Sequence, residues 1–156
     1  MCRRGRILAL MTLAAIQSCS VKPVMERVTD VGTLGWKPEV HHAVVHLNSD
    51  TLSLRRITVF ARAERSFDDC GETLPLVVTC IAPDGKSFTC PVRLSTAENS
   101  ERVSFIELSA IMVDSAKLAL EGLYVFDIAP LTDSPVKGVW GVGVQIRQYP
   151  AENGKR

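Results

Sequence analysis

Apolar and polar residues alternate along most of the chain after residue 36, in short runs separated by glycine, proline, aspartate, asparagine and serine. A period of two places successive side chains on opposite faces of a β-strand, so each run predicts a strand with one buried face. The runs recur at intervals of roughly ten residues, which is typical of an all-β sandwich or barrel. We therefore predict an antiparallel β-sandwich of about seven to eight strands over residues 36–149.

Two predicted strands have a clear inward face. In residues 55–64 that face consists of Ile57, Val59, Ala61 and Ala63. Phe60 is an apolar exception on the opposite face. In the last strand the same alternation groups Trp140 inside with Val136, Val142, Val144 and Ile146.

Two other segments follow different patterns. Residues 123–131 are apolar at nearly every position, which predicts a central strand covered on both faces. Residues 114–120 fit either a short helix capped by Asp114 or an edge strand that turns at Gly122. The sequence leaves this choice open.

A hairpin is predicted over residues 82–86. Pro83 presets φ at the second turn position, and Gly85 accepts the left-handed conformation of a G1 bulge. A three-residue loop pairs Cys80 with Phe88 and keeps the apolar residues of both strands on one face. Turn chemistry and hydrophobic pattern therefore select the same register.

The N-terminus has the pattern of a bacterial lipoprotein signal. A basic start precedes an apolar stretch over residues 7–16, and Ile16-Gln17-Ser18-Cys19 resembles a lipobox. About ten apolar residues cannot span a hydrocarbon core of about 30 Å, which favours an export signal over a membrane span. We predict a signal peptide over residues 1–18, acylation of Cys19 with chains such as palmitate, and a tether over residues 19–35. The alternative is an ordinary secretory signal with a chance cysteine.

The charge of the exported chain limits its partners. Removal of residues 1–18 lowers Lys+Arg from 18 to 15 against 17 Asp+Glu, which gives a net charge of −2. This balance, without a basic stripe, argues against nucleic acid as a partner. It also gives no electrostatic attraction to an anionic membrane, so we expect membrane attachment to depend on the acyl chains of Cys19. Residues 150–156 are predicted to be a polar tail.

Three cysteines remain beside Cys2 and Cys19, so they cannot all pair within one chain. In the predicted hairpin Cys80 and Cys90 are diagonal neighbours, about 7–8 Å apart, whereas a disulfide spans about 4.4–6.8 Å. We favour buried thiols that act as small hydrophobic groups. A disulfide from Cys70 to either partner stays open.

No pattern identifies a catalytic residue, a metal site or a cofactor. His41, His42 and His46 lie close along the chain, and the last two share a strand face, but no ligand stands at a diagnostic spacing. Residues 68–72 are acidic without the alternating ligands of a calcium loop, so we expect a solvated connection. The glycines of residues 138–143 precede no helix, which favours relief of crowding or a bulge in a strand over phosphate binding.

Several short motifs occur in a characteristic order. They are Cys19, Trp36, Asp50-Thr51, Arg62, Phe67, Pro83-Asp84-Gly85, Gly122-Leu123-Tyr124 and Gly138-Val139-Trp140-Gly141-Val142-Gly143. This order resembles the GldH family of gliding-motility lipoproteins of the Bacteroidetes over nearly all of the domain. The chain departs from the family at Ala63, where Asn is usual, and at Gly141, where an acidic or polar residue is usual. The resemblance implies an envelope lipoprotein that works with other components of gliding motility and its associated secretion machinery, without a known catalytic residue.

Two functional hypotheses follow. The first is a non-enzymatic scaffold in the cell envelope, held by the lipid on Cys19, facing the periplasm and contacting envelope proteins. The second is a periplasmic module that binds glycan or peptide on a stacking platform of Trp36, Phe60, Phe67 and Tyr149. Against the second, Trp36 is expected to seal the base of the domain. The sequence does not indicate ligand-binding residues, partner identity or oligomeric state.

Overall fold

The computed structural model describes residues 24–32, 35–49, 51, 53–70, 73–96 and 105–149, apart from the side chains of Val24 and residues 68–70. The predicted signal peptide, the acylation site Cys19 and the predicted tail over residues 150–156 lie outside the described residues.

The described chain forms an all-β fold. Its strands are β1 (Val24–Asp30), β2 (His41–Leu47), β3 (Leu54–Ala63), β4 (Leu74–Ile81), β5 (Ser87–Thr96), β6 (Ile106–Ala116), β7 (Gly122–Pro130) and β8 (Val139–Tyr149). A 3-10 helix covers Arg65–Cys70 between β3 and β4. All paired strands are antiparallel, in the order β1-β8-β3-β6-β5-β4-β7-β2. The predicted all-β class and strand number are confirmed, whereas the strands form one continuous sheet instead of the two separate sheets of the predicted sandwich.

The sheet folds into two halves around the core. Strands β1-β8-β3-β6 form the β8 half, and β5-β4-β7-β2 form the β7 half. The end of β5 joins the halves, because Ser95 and Thr96 pair with Ser109 and Leu108 of β6. At the other side the edges β1 and β2 approach each other, and Thr29 Oγ1 donates a hydrogen bond of 2.8 Å to the carbonyl oxygen of His42. The sheet is therefore nearly closed.

Apolar side chains from both halves fill the interior. Those with no exposed surface include Ile57, Val59, Ala61, Leu76, Val78, Leu94, Leu108, Phe126, Ile128, Val142 and Val144. Burying a side chain of this size contributes about 1.5–3 kcal/mol, so the alternation that predicts the strands also supplies the main stabilising term. The predicted inward face of β3 is confirmed.

The orientation predicted for Trp140 is wrong. The register of β3 and β8 shifts so that Arg62 pairs with Gly141 while Ala63 pairs with Val139, which leaves Trp140 as the extra residue of a β-bulge. Val139 takes the inward position with 1 % exposure, and Trp140 is 37 % exposed. A bulge moves every following side chain by one position relative to simple alternation.

Two other expectations are settled by strand position. β7 alternates instead of being covered on both faces: Tyr124 and Phe126 are buried, while Leu123 is exposed. The ambiguous segment is strand through residue 116, since β6 lies between β3 and β5. It is not a helix, and its strand part pairs with β3 alone, because β5 pairs with β6 only at Leu108 and Ser109.

Residues 24–30, which the sequence places in the tether, form β1. This strand pairs with β8 from Val24 opposite Arg147 to Asp30 opposite Gly141. Gly143 allows the pairing, because an ideal Cβ there would lie 2.0 Å from the carbonyl oxygen of Arg27. The domain thus starts at least twelve residues before Trp36.

The strand ends define two poles of the domain. The N-terminal pole is the end where β1 begins, and it also carries the β4–β5 hairpin and residues 117–121. The far pole is the end where β1 finishes, and it carries Trp36, the 3-10 helix and the β7–β8 connection over residues 131–138.

Candidate functional site: two pockets at opposite poles

A pocket of about 660 Å³ opens at the far pole. Its lining comes from the segment after β3, the start of β4 and the β7–β8 connection, and consists of Glu64, Ser66, Phe67, Thr73, Leu74, Pro75, Leu131, Thr132, Ser134, Pro135, Val136, Lys137 and Gly138. Backbone hydrogen bonds fix these segments: the Glu64 amide donates to the Gly138 carbonyl at 2.7 Å, and the Leu131 amide donates to the Pro75 carbonyl at 2.9 Å. Backbone hydrogen bonds therefore hold the segments that line the pocket in fixed positions.

Trp36 pairs with Val136 in the connection that lines this pocket. Its amide donates to the Val136 carbonyl at 2.9 Å and its carbonyl accepts from the Val136 amide at 2.8 Å. The indole has no exposed surface, its Nε1 donates to the Glu39 carbonyl at 3.3 Å, and its ring meets His41 edge to face. Trp36 is buried, as expected, but it lies at the far pole and not at the base of the domain next to the tether.

The far-pole pocket combines an apolar wall with a polar rim. Phe67 and Leu74 supply apolar surface, while Glu64 and Lys137 bring opposite charges. Ser66 Oγ lies 3.4 Å from Glu64 Oε2 and donates to it. Such a lining suits a ligand held by shape and hydrogen bonds.

A second pocket, of about 300 Å³, lies at the N-terminal pole. It is lined by Cys80, Ala82, Asp84, Lys86, Ser87, Phe88, Lys117, Leu118, Ala119, Leu120 and Tyr124. Residues 117–120 are held in place by polar side chains beneath them, since the Tyr124 hydroxyl donates to the Leu120 carbonyl at 3.2 Å and buried Arg55 donates to the Leu118 carbonyl. Burial raises the pKa of Tyr124, so its hydroxyl stays neutral.

The thiol in this second pocket is a neutral, apolar group. Burial raises the pKa of Cys80 from 9.0 to about 11, and it also raises the pKa of Cys90. The predicted hairpin register is confirmed, with Cys80 opposite Phe88 and Val78 opposite Cys90, and both thiols are free. The side chain of Cys70 lies outside the described residues.

An outer-face cluster surrounds Arg62 on the β8 half. Its Nη2 donates to Glu26 Oε1 at 2.6 Å, and its Nε lies 3.9 Å from Glu107 Oε2. The guanidinium also lies 5.5 Å from the ring centroids of Phe60 and Phe105. Cation–π contact and ion pairing act together here, so the cluster fastens β1 to β3 and β6.

The outer-face cluster extends to the bulge. Phe105 meets Trp140 edge to face, with ring centroids 5.4 Å apart. Sequence reasoning singled out Arg62 only through the family resemblance and missed its partners Glu26, Glu107 and Phe105. No local signal connects them, because their strands are far apart in the chain.

The predicted aromatic platform does not exist. Trp36 is 0 % and Phe60 is 2 % exposed, so neither can stack against a ligand. Phe67 lines the far-pole pocket, whereas Tyr149 ends β8 at the opposite pole, where its ring lies 5.3 Å from the Arg56 guanidinium. The four rings share no groove.

The predicted histidine geometry is partly confirmed. His42 and His46 point outward from the same face of β2, as expected, and His42 Nδ1 lies 2.6 Å from Asp127 Oδ1. His41 instead lies near Glu39, at 3.6 Å. Within the described part of the chain, no group of three His, Cys, Asp or Glu side chains could hold a metal ion. The acidic side chains of residues 68–72 lie outside that part.

The crowding role expected for the glycines of residues 138–143 is confirmed by the close approach of β1 to Gly143. The described residues include no helix with the length and apolar character that crossing a membrane requires. Comparison of the chain with protein-family models and with curated proteins finds no match. The likeness to the GldH family therefore rests on the sequence motifs alone.

Proposed function

We propose that this protein is a lipid-anchored, non-enzymatic component of the cell envelope that acts as a scaffold in gliding-motility or secretion machinery. The observation that carries the proposal is the position of β1. Five Cα–Cα steps separate Cys19 from Val24, and a chain spans at most about 3.5 Å per step, so the anchor lies within about 17 Å of the N-terminal pole. The domain is held close to the membrane.

Pairing of β1 with β8 also controls the reach of the domain. A tether over residues 19–35 would span up to about 55 Å, roughly three times the length that β1 leaves. β1 itself rises about 3.4 Å per residue, which sets the far pole about 20 Å beyond the N-terminal pole. A short anchor restricts the far pole to a layer near the membrane, where a partner on the same surface meets it at raised effective concentration.

The residues that carry the resemblance to the GldH family have structural roles, which supports a non-enzymatic protein. Gly143 admits β1, Trp36 closes the far pole, and Arg62 joins three strands. Each of these roles preserves a shape for presentation to partners. None requires a reaction at the residue itself.

The test is substitution of the anchor. We expect Cys19→Ser to move most of the protein from the membrane to the soluble fraction of a dilute lysate and to abolish complementation of a deletion, while the thermal unfolding midpoint stays unchanged. Cys2→Ser is the matched control, because Cys2 leaves with the signal peptide, and it should retain both properties. A soluble Cys19→Ser protein that fully complements the deletion would refute the proposal.

Partners are identified by purification of the tagged, lipidated protein from membranes in mild detergent, with Cys19→Ser in parallel. Envelope motility or secretion proteins should be recovered only with the lipidated form. Recovery of the intact lipoprotein alone, after complete extraction, contradicts the scaffold.

The far-pole pocket favours a second candidate, a glycan- or peptide-binding module. Its volume of about 660 Å³ lies within the usual range of small-ligand sites. Glycan and peptide arrays would then show a ligand whose binding falls on Phe67→Ala, with Val40→Ala as a control at the same pole. Binding that survives Phe67→Ala, or no ligand at all, argues against this candidate.

A further inference from the structure

The N-terminal pole exposes large apolar side chains around its pocket. Phe88 is 40 % and Leu120 is 44 % exposed, and both line the pocket of about 300 Å³. Phe88 belongs to β5, whereas Leu120 lies in the segment between β6 and β7. A strand and a connection between strands therefore bring apolar groups to one opening. Clustered exposure of this kind marks a binding surface more often than scattered exposure does.

The interior of this pocket is apolar, while its lining also carries amines. Ala82, Leu118 and the neutral thiol of Cys80 supply nonpolar surface. Lys86 and Lys117 are exposed, and Lys86 Nζ forms an ion pair with Asp84 Oδ2 at 3.0 Å. An apolar interior beside ammonium groups matches an amphipathic ligand, with a hydrocarbon chain inside and an anionic or zwitterionic head outside.

Chain length identifies the surface that this pole meets. Val24 begins β1 at this pole, and the five Cα–Cα steps back to Cys19 span at most about 17 Å. The exposed side chains therefore lie at the end of the domain nearest the lipid anchor. The far pole lies a strand length away.

We propose that the N-terminal pole rests on the bilayer, with Phe88 and Leu120 in the membrane interface and the end of a lipid acyl chain in the pocket between them. This inference rests on the proposed lipid anchor. A volume of about 300 Å³ is at the low end for small-ligand sites, so it accommodates part of one acyl chain rather than a whole lipid. The contact is apolar, which agrees with the net charge of −2 expected for the exported chain.

A contact of Phe88 and Leu120 with the bilayer would orient the domain as well as attach it. One acylated residue on a short link permits the domain to rotate about it, whereas a second contact at Phe88 and Leu120 fixes the tilt. The far pole then always points away from the membrane. This is the orientation in which its pocket and connections face a partner.

The first experiment measures membrane contact without the anchor. The exported form of the Cys19→Ser protein, residues 19–156, is floated at high lipid concentration with vesicles of phosphatidylethanolamine and phosphatidylglycerol, so that a weak contact without the anchor is measurable. Adding Phe88→Ser and Leu120→Ser should lower the vesicle-bound fraction at least about tenfold, since the apolar area that enters the interface is lost. The matched control is Val40→Ser with Leu131→Ser, because these residues are 50 % and 52 % exposed and lie toward the far pole. The control should bind as its parent does, and thermal unfolding checks that all variants fold.

The second experiment uses the lipidated protein in nanodiscs of the same lipids. Amide hydrogen exchange should slow over residues 82–88 and 117–121 relative to detergent, with no change over residues 131–138. Phe88→Ser with Leu120→Ser should remove this protection.

The possible failures are distinct. Equal vesicle binding by all variants, no vesicle binding by the Cys19→Ser protein, or protection confined to the far pole would each overturn the membrane contact. Loss of a co-purified protein in the Phe88→Ser and Leu120→Ser variant, with vesicle binding unchanged, would overturn it in favour of a protein interface. The mass of the N-terminal peptide tests the anchor separately, because an unacylated Cys19 refutes the proposed function whatever the Cys19→Ser protein does with vesicles.

Discussion

Gly143 of β8 lies so close to Arg27 of β1 that a Cβ atom on the glycine would stand 2.0 Å from the arginine carbonyl oxygen. The other close atoms also belong to β1, at 2.9 and 3.0 Å. A methyl group at this position therefore opposes the docking of β1 more directly than it opposes the pairing of β8 with β3. One glycine controls whether the N-terminal strand joins the domain.

We expect Gly143→Ala to displace β1. The free energy of unfolding should fall by about 1–3 kcal/mol, the usual cost of overpacking, and amide exchange should accelerate over residues 24–30. Gly141→Ala is the matched control, because its nearest atom is the flexible Val28 Cγ1 at 3.3 Å. Equal effects of the two substitutions on residues 24–30 would contradict the role of Gly143.

Arg62 should stabilise the domain through Glu26 and the two aromatic rings. Arg62→Ala is expected to lower the free energy of unfolding by about 1–2 kcal/mol, measured by urea denaturation. A double-mutant cycle with Glu26→Gln should give a coupling of about 0.5–1 kcal/mol, since the ion pair is partly exposed. Arg147→Ala, on an exposed residue of the same half, should change stability by less than about 0.5 kcal/mol. A coupling of zero would show that the outer-face cluster does not fasten β1.

The raised pKa of Cys80 predicts a pH dependence. In the folded protein the thiol ionises near pH 11 instead of 9.0, so its contribution to stability is complete below pH 9 and is lost as the pH rises toward 11. The free energy of unfolding should fall over that interval in the parent and fall less in Cys80→Ala. Parallel pH profiles for the two proteins would argue against burial of a neutral thiol.

The same pKa predicts slow alkylation of Cys80. At pH 8 the thiolate fraction is about 0.1 %, so iodoacetamide should label Cys90 before Cys80, and unfolding in urea should equalise the two rates. Mass spectrometry of the labelled peptides gives the order. Faster labelling of Cys80 in the folded state would contradict the structure.

The two tryptophans should differ in fluorescence. Trp36 has no exposed surface and Trp140 is 37 % exposed, so acrylamide should quench only part of the emission. Trp140→Phe should remove the quenched part and shift the emission maximum to the blue. If the emission of Trp140→Phe is quenched as strongly as that of the parent, Trp36 is not sealed.

The sequence predicted the features that depend on local chemistry. The hairpin register follows from Pro83 and Gly85 together with the alternation on either side, and the structure has that register. The inward face of β3 was equally clear because it is a regular strand with four small or branched apolar residues in phase. Neither feature depends on which other strand lies alongside.

Features that depend on distant pairing were missed. The bulge at Trp140 arises where β8 meets β3, so alternation within β8 alone gave the wrong face for Trp140, although Val142, Val144 and Ile146 are buried as predicted. The sequence did not predict β1, because Met25, Glu26, Arg27 and Val28 are all exposed, so buried and exposed positions do not alternate there. Its strand conformation comes from backbone pairing with β8. The outer-face cluster and both pockets likewise assemble residues from separate connections.

The exposed, charged side chains of β1 have a further consequence. Without β1, the long strand β8 would present a row of unpaired amide and carbonyl groups, and such an edge pairs readily with the edge of another molecule. Lipoproteins confined to one leaflet meet each other at high local density, which favours this association. Glu26 and Arg27 place charges along the outermost strand, and charges there discourage another strand from adding to it. β1 therefore opposes edge-to-edge self-association, including the association that the proposed lipid anchor would favour.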